Sequence, residues 1–508
     1  MTQDEVLTIL PFLITVGVAL GIIVIDLIWP RRNGLIMAIG VGGLFVALAA
    51  TLVIGPLPGG VGLLAEGAGS IGDPSLYTRD LLTVLLDVVF ISIAALTLLF
   101  APDYLVPRKL PLAEFAATLI FAISGGMLIA GGQDLLILFL GLELLVLPGY
   151  LLAGFAKRDG LSTEGAIKYF LLGSFSSAIL LFGLALVLGY TGSTQVDGIA
   201  AALSAMLDGS ESLPLALAMG LGLLTVGVLF KIAAVPFHYW TPDAYQGSPT
   251  PVTGYLSVGP KIAAFALILR LFVEALEPLR LEWAVIIAVI AAVTMTLGNL
   301  AALGQDNIKR MLAYSSIAHT GYIMVGLVVF ALADNDEAAA SGVQGVLFYS
   351  VAYAFMNLGA FAVVAALQRR PGVTSQISTF AGLGARAPVL ALTMTVFLLS
   401  LTGIPPLAGF FAKAIIVLGA LQVGGGTTLL AVIMMLNAAV AAFYYLRVVV
   451  HMYMRKPAEG APPVSIGGAT RVGLILAATA TILIGLFPPV TAAILEWAEA
   501  AATALTAL

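Results

Sequence analysis

Cysteine is absent from all 508 residues. That rules out disulfides, thiolate zinc sites and cysteine-ligated iron–sulfur clusters on this chain. Histidine is nearly absent: His238, His319 and His451 lie too far apart to spell a short metal-binding motif. Charge is scarce as well, at 10% of residues against 61% hydrophobic, where a soluble domain carries about 25%. An ordinary soluble globular protein is excluded. The 22 basic and 27 acidic residues sum to a net charge of -5, and the basic ones fall in pairs rather than runs, so no nucleic-acid partner is expected. Soluble-enzyme signatures are missing too. There is no phosphate-binding P-loop and no HExxH zinc motif, and the loose dinucleotide match at Gly382-Leu-Gly-Ala-Arg-Ala has no βαβ unit around it. The N-terminal Met-Thr-Gln-Asp-Glu lacks the positive stretch of a cleaved signal peptide, so the first apolar run reads as a span that stays.

What the sequence has is long apolar runs, with a mean hydropathy of +1.10. A spanning helix takes roughly 20 apolar residues, and the fold class read from these runs is an all-α polytopic membrane protein in a lipid bilayer. Fourteen spans are predicted, at 6–28, 34–55, 81–101, 112–131, 134–155, 166–189, 214–241, 250–272, 283–303, 311–332, 342–367, 388–421, 427–453 and 470–494, the last ending in an alanine-rich tail. Loop charge checks the count, because Lys and Arg mark the cytoplasmic side. Basic pairs follow spans one, three, five, nine, eleven and thirteen: Arg31-Arg32, Arg108-Lys109, Lys157-Arg158, Lys309-Arg310, Arg369-Arg370 and Arg455-Lys456. Glu66, Asp73, Asp197, Asp208, Glu211, Asp334, Asp336 and Glu337 occupy intervening loops, with Arg280 as the exception. Both termini are therefore expected on the outer face. Trp29, Trp240, Trp283 and Trp497 fall at predicted span ends, where interfacial rings are expected.

A charge at the centre of a lone spanning helix costs about 2.5 to 3.5 kcal/mol and calls for a partner or a hydrated cavity. Glu143 lies mid-span five, Lys231 in span seven, Lys261 in span eight and Lys413 in span twelve. A structural Glu143–Lys231 pair is one reading, but three lysines against one glutamate weigh against it. Low dielectric disfavours the charged form of an amine, so such residues can take up and release protons, and a row of them makes a relay. His319, among hydroxyls in Ser-Ser-Ile-Ala-His-Thr-Gly-Tyr, suits proton transfer or a structural role equally, and His238, just past Pro236, is assigned to the relay. Lys168 is explained by an i,i+4 pair with Glu164 or by snorkelling, and Asp26 and Asp87 are left unassigned.

Proline gives a second signal. Pro236 follows Lys231, and Pro405-Pro406 precede Lys413, so spans seven and twelve are predicted to be broken, freeing carbonyls beside ionisable groups. The breaks are five spans apart. A five-helix unit used twice in succession is inverted in the membrane, an arrangement in which broken helices meet near the midplane.

Four stretches then resemble a known family, the antiporter-like membrane subunits of respiratory complex I. They are Gly141-Leu-Glu-Leu through Glu164-Gly-Ala-Ile-Lys-Tyr-Phe-Leu-Leu-Gly-Ser, Phe230-Lys-Ile-Ala-Ala-Val-Pro-Phe-His-Tyr-Trp-Thr-Pro-Asp-Ala-Tyr-Gln-Gly, Lys309-Arg-Met-Leu-Ala-Tyr-Ser-Ser-Ile-Ala-His and Gly403-Ile-Pro-Pro-Leu-Ala-Gly-Phe-Phe-Ala-Lys. Within the family the Asp243-Ala-Tyr-Gln-Gly segment resembles the N branch, since the L and M branches and Mrp antiporters tend to carry Asp-Ala-His there; Lys413 also looks like N rather than M.

The resemblance implies that Glu143 and Lys231 are the charged pair of spans five and seven, Lys261 the central relay lysine and Lys413 the exit-side group. It implies helices 1–3 over 1–110, a first five-helix repeat over 111–276, an inverted second repeat over 277–456 and a terminal helix and tail over 457–508. No cofactor is implied on this chain: NADH, FMN, iron–sulfur clusters and quinone belong to partner subunits. The partners implied are the adjacent subunit M and the small subunits K, J and A, in a bacterial inner membrane. A proton-translocating subunit is the leading expectation, with an Mrp-type or stand-alone cation/proton antiporter and a non-pumping scaffold as alternatives.

Overall fold

The computed structural model describes residues 2–58, 62, 69–72, 75–208, 213–457 and 464–506. Glu66, Asp73 and Glu211, counted above among the acidic loop residues, lie outside the described residues, as does the side chain of Asp208. The helices in chain order are α1 Gln3–Ile28, α2 Asn33–Ile54, α3 Leu81–Leu105, α4 Leu112–Gly131, α5 Leu135–Ala153, α6 Gly160–Thr191, α7 Val196–Asp208, α8 Leu215–Lys231, α9 Trp240–Gly247 and α10 Thr250–Ile268. There follow α11 Arg280–Leu303, α12 Ile308–Leu332, α13 Asp336–Leu367, α14 Leu383–Arg386, α15 Pro388–Thr402, α16 Ala408–Val423, α17 Gly425–Met454, α18 Gly468–Leu486 and α19 Pro488–Thr506. A short antiparallel hairpin pairs Gly69–Ile71 with Tyr77–Arg79. Among the described residues, twelve helices are long and apolar enough to cross a membrane, and the chain is a multi-pass membrane protein.

Polar residues at the helix starts set the boundaries. Asp134, Asp159, Asn307 and Asn335 cap α5, α6, α12 and α13 by accepting backbone N–H groups that the first turn leaves free. Spans seven and twelve are interrupted as predicted. α8 stops at Lys231, and Ala233, in the left-handed region at φ 58°, leads through Pro236 to α9. α15 stops at Thr402, Gly403 turns at φ 91°, and α16 resumes after Pro405-Pro406. The backbone groups freed at the first break find protein partners: the Val235 N–H donates to Thr294 Oγ1 at 3.0 Å, and Trp240 Nε1 donates to the Phe230 carbonyl at 3.3 Å. Irregular backbone at this depth persists only where such partners exist.

Buried helices form the centre. α10 and α12 are enclosed almost throughout, while α1 and α2 expose most of their apolar surface. Glycines set the close approaches around α12. A Cβ on Gly321 would lie 2.6 Å from the Met295 nitrogen of α11, and one on Gly342 of α13 would lie 2.5 Å from the Gly326 oxygen of α12. Small residues thus let three backbones meet, as in other membrane helix crossings.

Three expectations need correction. The last span ends at Leu486 rather than near residue 494, because Pro488 starts a separate helix, α19, with its own direction. Trp240 and Trp283 are buried at 2% and 0% exposure rather than set at a lipid interface; Trp240 stacks on Tyr169, and Trp283 packs against Phe272 and Phe330. Lys309 is a buried capping group rather than a loop charge: its amine donates to the Gln246 and Ser248 carbonyls at the end of α9, at 3.0 and 2.5 Å.

Candidate functional site

The three intramembrane lysines and His319 are all buried, between 1% and 6% exposed. None of the lysines meets a carboxylate among the described residues. Oxygens of hydroxyls and carbonyls surround them instead.

Lys231, the last residue of α8, donates to Ser177 Oγ of α6 at 2.8 Å and reaches the Gly173 carbonyl at 3.4 Å. Lys261 sits midway along α10 and donates to the Ser316 carbonyl at 2.8 Å and to Thr320 Oγ1 at 3.1 Å, both on α12. The Thr320 hydroxyl in turn lies 2.9 Å from the carbonyl of Ile232, the residue directly after Lys231. One hydroxyl therefore joins the first helix break to the central lysine.

One position earlier on α12, His319 has a phenol at each ring nitrogen: Tyr349 Oη at 2.6 Å from Nδ1 and Tyr445 Oη at 3.2 Å from Nε2. The Tyr445 hydroxyl also meets Ser315 Oγ. A hydroxyl can donate or accept by rotating, so each ring nitrogen can hold or give up a proton with a partner still in place. Tyr322, one turn on, faces Lys413, whose amine stands 5.1 Å from the ring centre in cation–π geometry. Its hydroxyl accepts from Asn299 Nδ2 at 2.7 Å, and Asn299 Oδ1 accepts from Tyr444 at 2.9 Å.

Lys413 itself donates to the Leu401 and Thr402 carbonyls at 3.0 and 2.6 Å. These belong to the last turn of α15, where unpaired carbonyls and the helix dipole both favour a cation. The second break therefore makes the seat for the lysine that follows it.

The sequence-predicted residues thus divide. Lys261, His319 and Lys413 gather around α12; the Lys231 amine turns to α6, and only the carbonyl of its chain neighbour Ile232 meets Thr320. Glu143 forms no ion pair with Lys231 among the described residues but lies close enough to act on it as a charge, and its Oε1 is buried without a hydrogen-bond partner. His238 stacks on Tyr239 at 4.6 Å, and its Nδ1 has no partner. Lys168 does pair with Glu164 at 2.6 Å as expected, and also with Asp243 at 2.7 Å, which Arg310 holds from the other side at 2.6 Å. Asp87, unassigned from sequence, forms a wholly buried pair with Arg79 at 3.2 Å.

Ser177, Thr320, Tyr322, Tyr349 and Tyr445 were not predicted. The Ser315–Tyr322 motif pointed to part of the set, but nothing in the local sequence links it to phenols on α13 and α17.

Residues 132–438 match the family described as NADH:quinone oxidoreductase/Mrp antiporter, transmembrane. The chain is 41% identical to NADH-quinone oxidoreductase subunit N 1 of Koribacter versatilis (strain Ellin345), over 98% of this chain and 96% of that one. It is 30% identical to a chain of respiratory complex I from Thermus thermophilus with bound aureothin, at a TM-score of 0.75 over 95% of this chain and 98% of that one. A chain of the Mrp complex from Dietzia sp. DQ12-45-1b matches at a TM-score of 0.83 over 100% and 98% but is only 21% identical, a likeness of fold.

Proposed function

The chain belongs to the NADH-quinone oxidoreductase subunit N family, and from that premise we propose that it moves protons across the membrane along the buried polar line described above. The observation that carries this reading is the Thr320 hydroxyl, placed between the Ile232 carbonyl and the Lys261 amine. Protons pass from Lys231 to Lys261, on to His319 and its two phenols, and leave by Lys413, with water carrying them between groups that do not bond one another directly. Glu143 acts on this line as a charge held near Lys231 rather than as a bonded partner. His238 takes its place in the relay at the first break.

Electron transfer from NADH through FMN and iron–sulfur clusters to quinone takes place in partner subunits. It drives the line through changes in neighbouring charge, so coupling is electrostatic and conformational. Subunit M is the adjacent antiporter-like partner, and K, J and A are the small membrane partners. On this reading the interrupted α8–α9 and α15–α16 each count as one span beside the twelve long helices, fourteen in all, and the basic pairs lie on the cytoplasmic side with both termini on the periplasmic side of the bacterial inner membrane. On this reading the segments 1–110, 111–276, 277–456 and 457–508 are the leading helices, the two inverted repeats and the tail. Mrp-type exchange has the fold likeness in its favour, whereas identity over nearly the whole chain favours the subunit N reading.

The test is proton uptake by membranes in which the intact complex carries Lys231→Ala or Glu143→Ala. Uptake driven by quinone reduction should fall in both; unchanged pumping in both removes these residues from the line, and tolerance of neutral changes at all four charged positions leaves a scaffold.

A further inference from the structure

A second cluster of buried charge lies apart from the lysine line. α10 does not end at Ile268 but continues as a π-helical segment, Leu269–Ala275, a rare form that recurs at functional positions. That segment carries Arg270 and Glu274, whose side chains are 1% and 6% exposed. Arg270 donates Nη1 to Glu274 Oε1 at 2.7 Å and Nη2 to Asp80 Oδ2 at 2.6 Å, and its Nε and Nη2 both reach the Ala130 carbonyl at 2.9 and 2.8 Å. Every nitrogen of the guanidinium is engaged. Glu274 is not: its Oε2 is buried with no partner.

Glu274 and Asp80 stand in the wall of a cavity of roughly 790 Å³. α4 runs from the Arg108-Lys109 pair to Gln133 in the cavity wall, so the cavity lies on the face opposite the basic pairs. The other charged groups facing it are Asp197 of α7, Glu277 in the turn after the π segment, Arg280 of α11 and Asp336 of α13. Arg280 is already paired with Glu277, at 3.4 Å. Acids outnumber bases here, and at the centre two carboxylates share one guanidinium. A closed site with one negative charge in excess is costly until it binds a compensating cation. Among the described residues no three acids or histidines converge to hold a metal ion. The unpartnered Oε2 is suited to a proton.

We infer that Glu274 is a proton-binding group of the outer cavity, carrying a proton on Oε2 and exchanging it with cavity water while Oε1 stays on Arg270. When Oε2–H gives its proton to water, the carboxylate left behind remains paired with the guanidinium. The role of this exchange in pumping rests on the translocation proposed above; the proton binding does not. Glu274 lines the outer cavity with its Oε2 just beneath the cavity surface, so the water it exchanges with is the water of that cavity.

The experiment is labelling of the intact complex from the outer face with a water-soluble, membrane-impermeant carbodiimide, which couples to protonated carboxyl groups, followed by mass-spectrometric mapping across pH. Adduct on Glu274 is expected at the lower pH and lost as pH rises, and Glu274→Gln should abolish that adduct and lower proton release. No adduct on Glu274 at any pH, with half-exposed Glu277 labelled, overturns the inference. Because the wild-type labelling needs no variant to fold, it decides the matter alone. Lys261→Ala in parallel separates the two readings: lost pumping without Glu274 labelling leaves translocation standing and removes this site, while labelling with pumping unaffected by Lys261→Ala keeps the site and removes the lysine line.

Discussion

The Thr320 hydroxyl stands 2.9 Å from the Ile232 carbonyl and 3.1 Å from the Lys261 amine. It connects the break in span seven to the lysine at the centre of the bundle. Thr320 also lies 3.1 Å from the Ser316 carbonyl, so its proton has two alternative acceptors, one in the preceding turn of its own helix and one at the first break. A hydroxyl with two acceptors and one amine donor can switch direction without moving the backbone.

Thr320→Val keeps the shape and removes the hydroxyl. Hydrogen bonds to charged groups contribute about 1.5–3 kcal/mol, so proton transfer past Lys261 should slow roughly 10- to 100-fold, with Thr320→Ser retaining most of the rate. Proton uptake against quinone reduction in proteoliposomes measures both.

Lys413→Met leaves the Leu401 and Thr402 carbonyls without their cation. Lost capping of the α15 end should cost about 1–3 kcal/mol of stability, read as earlier thermal release of this subunit from the detergent-solubilised complex, together with lower pumping.

A side chain at Gly321 or Gly342 meets backbone rather than a flexible neighbour. Gly321→Leu should separate α11 from α12 and displace His319, and overpacking of this kind costs about 1–3 kcal/mol or more. The expected readout is reduced subunit content in membranes; normal content and normal pumping would show that α12 tolerates a wider crossing.

Two charge clusters should respond differently. Asp243 bridges Lys168 and Arg310 with all three side chains partly exposed, so Asp243→Asn should cost no more than about 1 kcal/mol. Arg270→Met strips the shared base from two carboxylates in a buried site and should cost about 3–5 kcal/mol. Comparative thermal denaturation of the two variant complexes ranks them.

The spans and breaks were legible because bilayer chemistry writes them in composition: apolar runs, proline, and four charges where charge is expensive. Lys231, Lys261 and Lys413 stood out for that reason. Their partners did not, because Ser177 and Thr320 look like ordinary helix hydroxyls that bond their own preceding turn, and Tyr349 and Tyr445 come from α13 and α17, 30 and 126 residues from His319. That Glu143 acts on Lys231 without bonding to it was also hidden, since sequence places both at the right depth without fixing the distance between them. α7 and α19 escaped notice because a search for long apolar runs passes over helices that are short, like α7, or interleave polar residues with alanine, like α19. Arg270 and Glu274 lay at a predicted span end, where charges are unremarkable, and sequence does not show that this end of the helix is enclosed on every side.

The most direct test of an unbroken polar line from Lys231 to Lys413 is the number of protons moved per electron by the purified complex in sealed proteoliposomes, compared between wild type and Lys261→Met. The line predicts that Lys261→Met lowers this ratio while quinone reduction continues in uncoupled vesicles. An unchanged ratio at full coupling would contradict it.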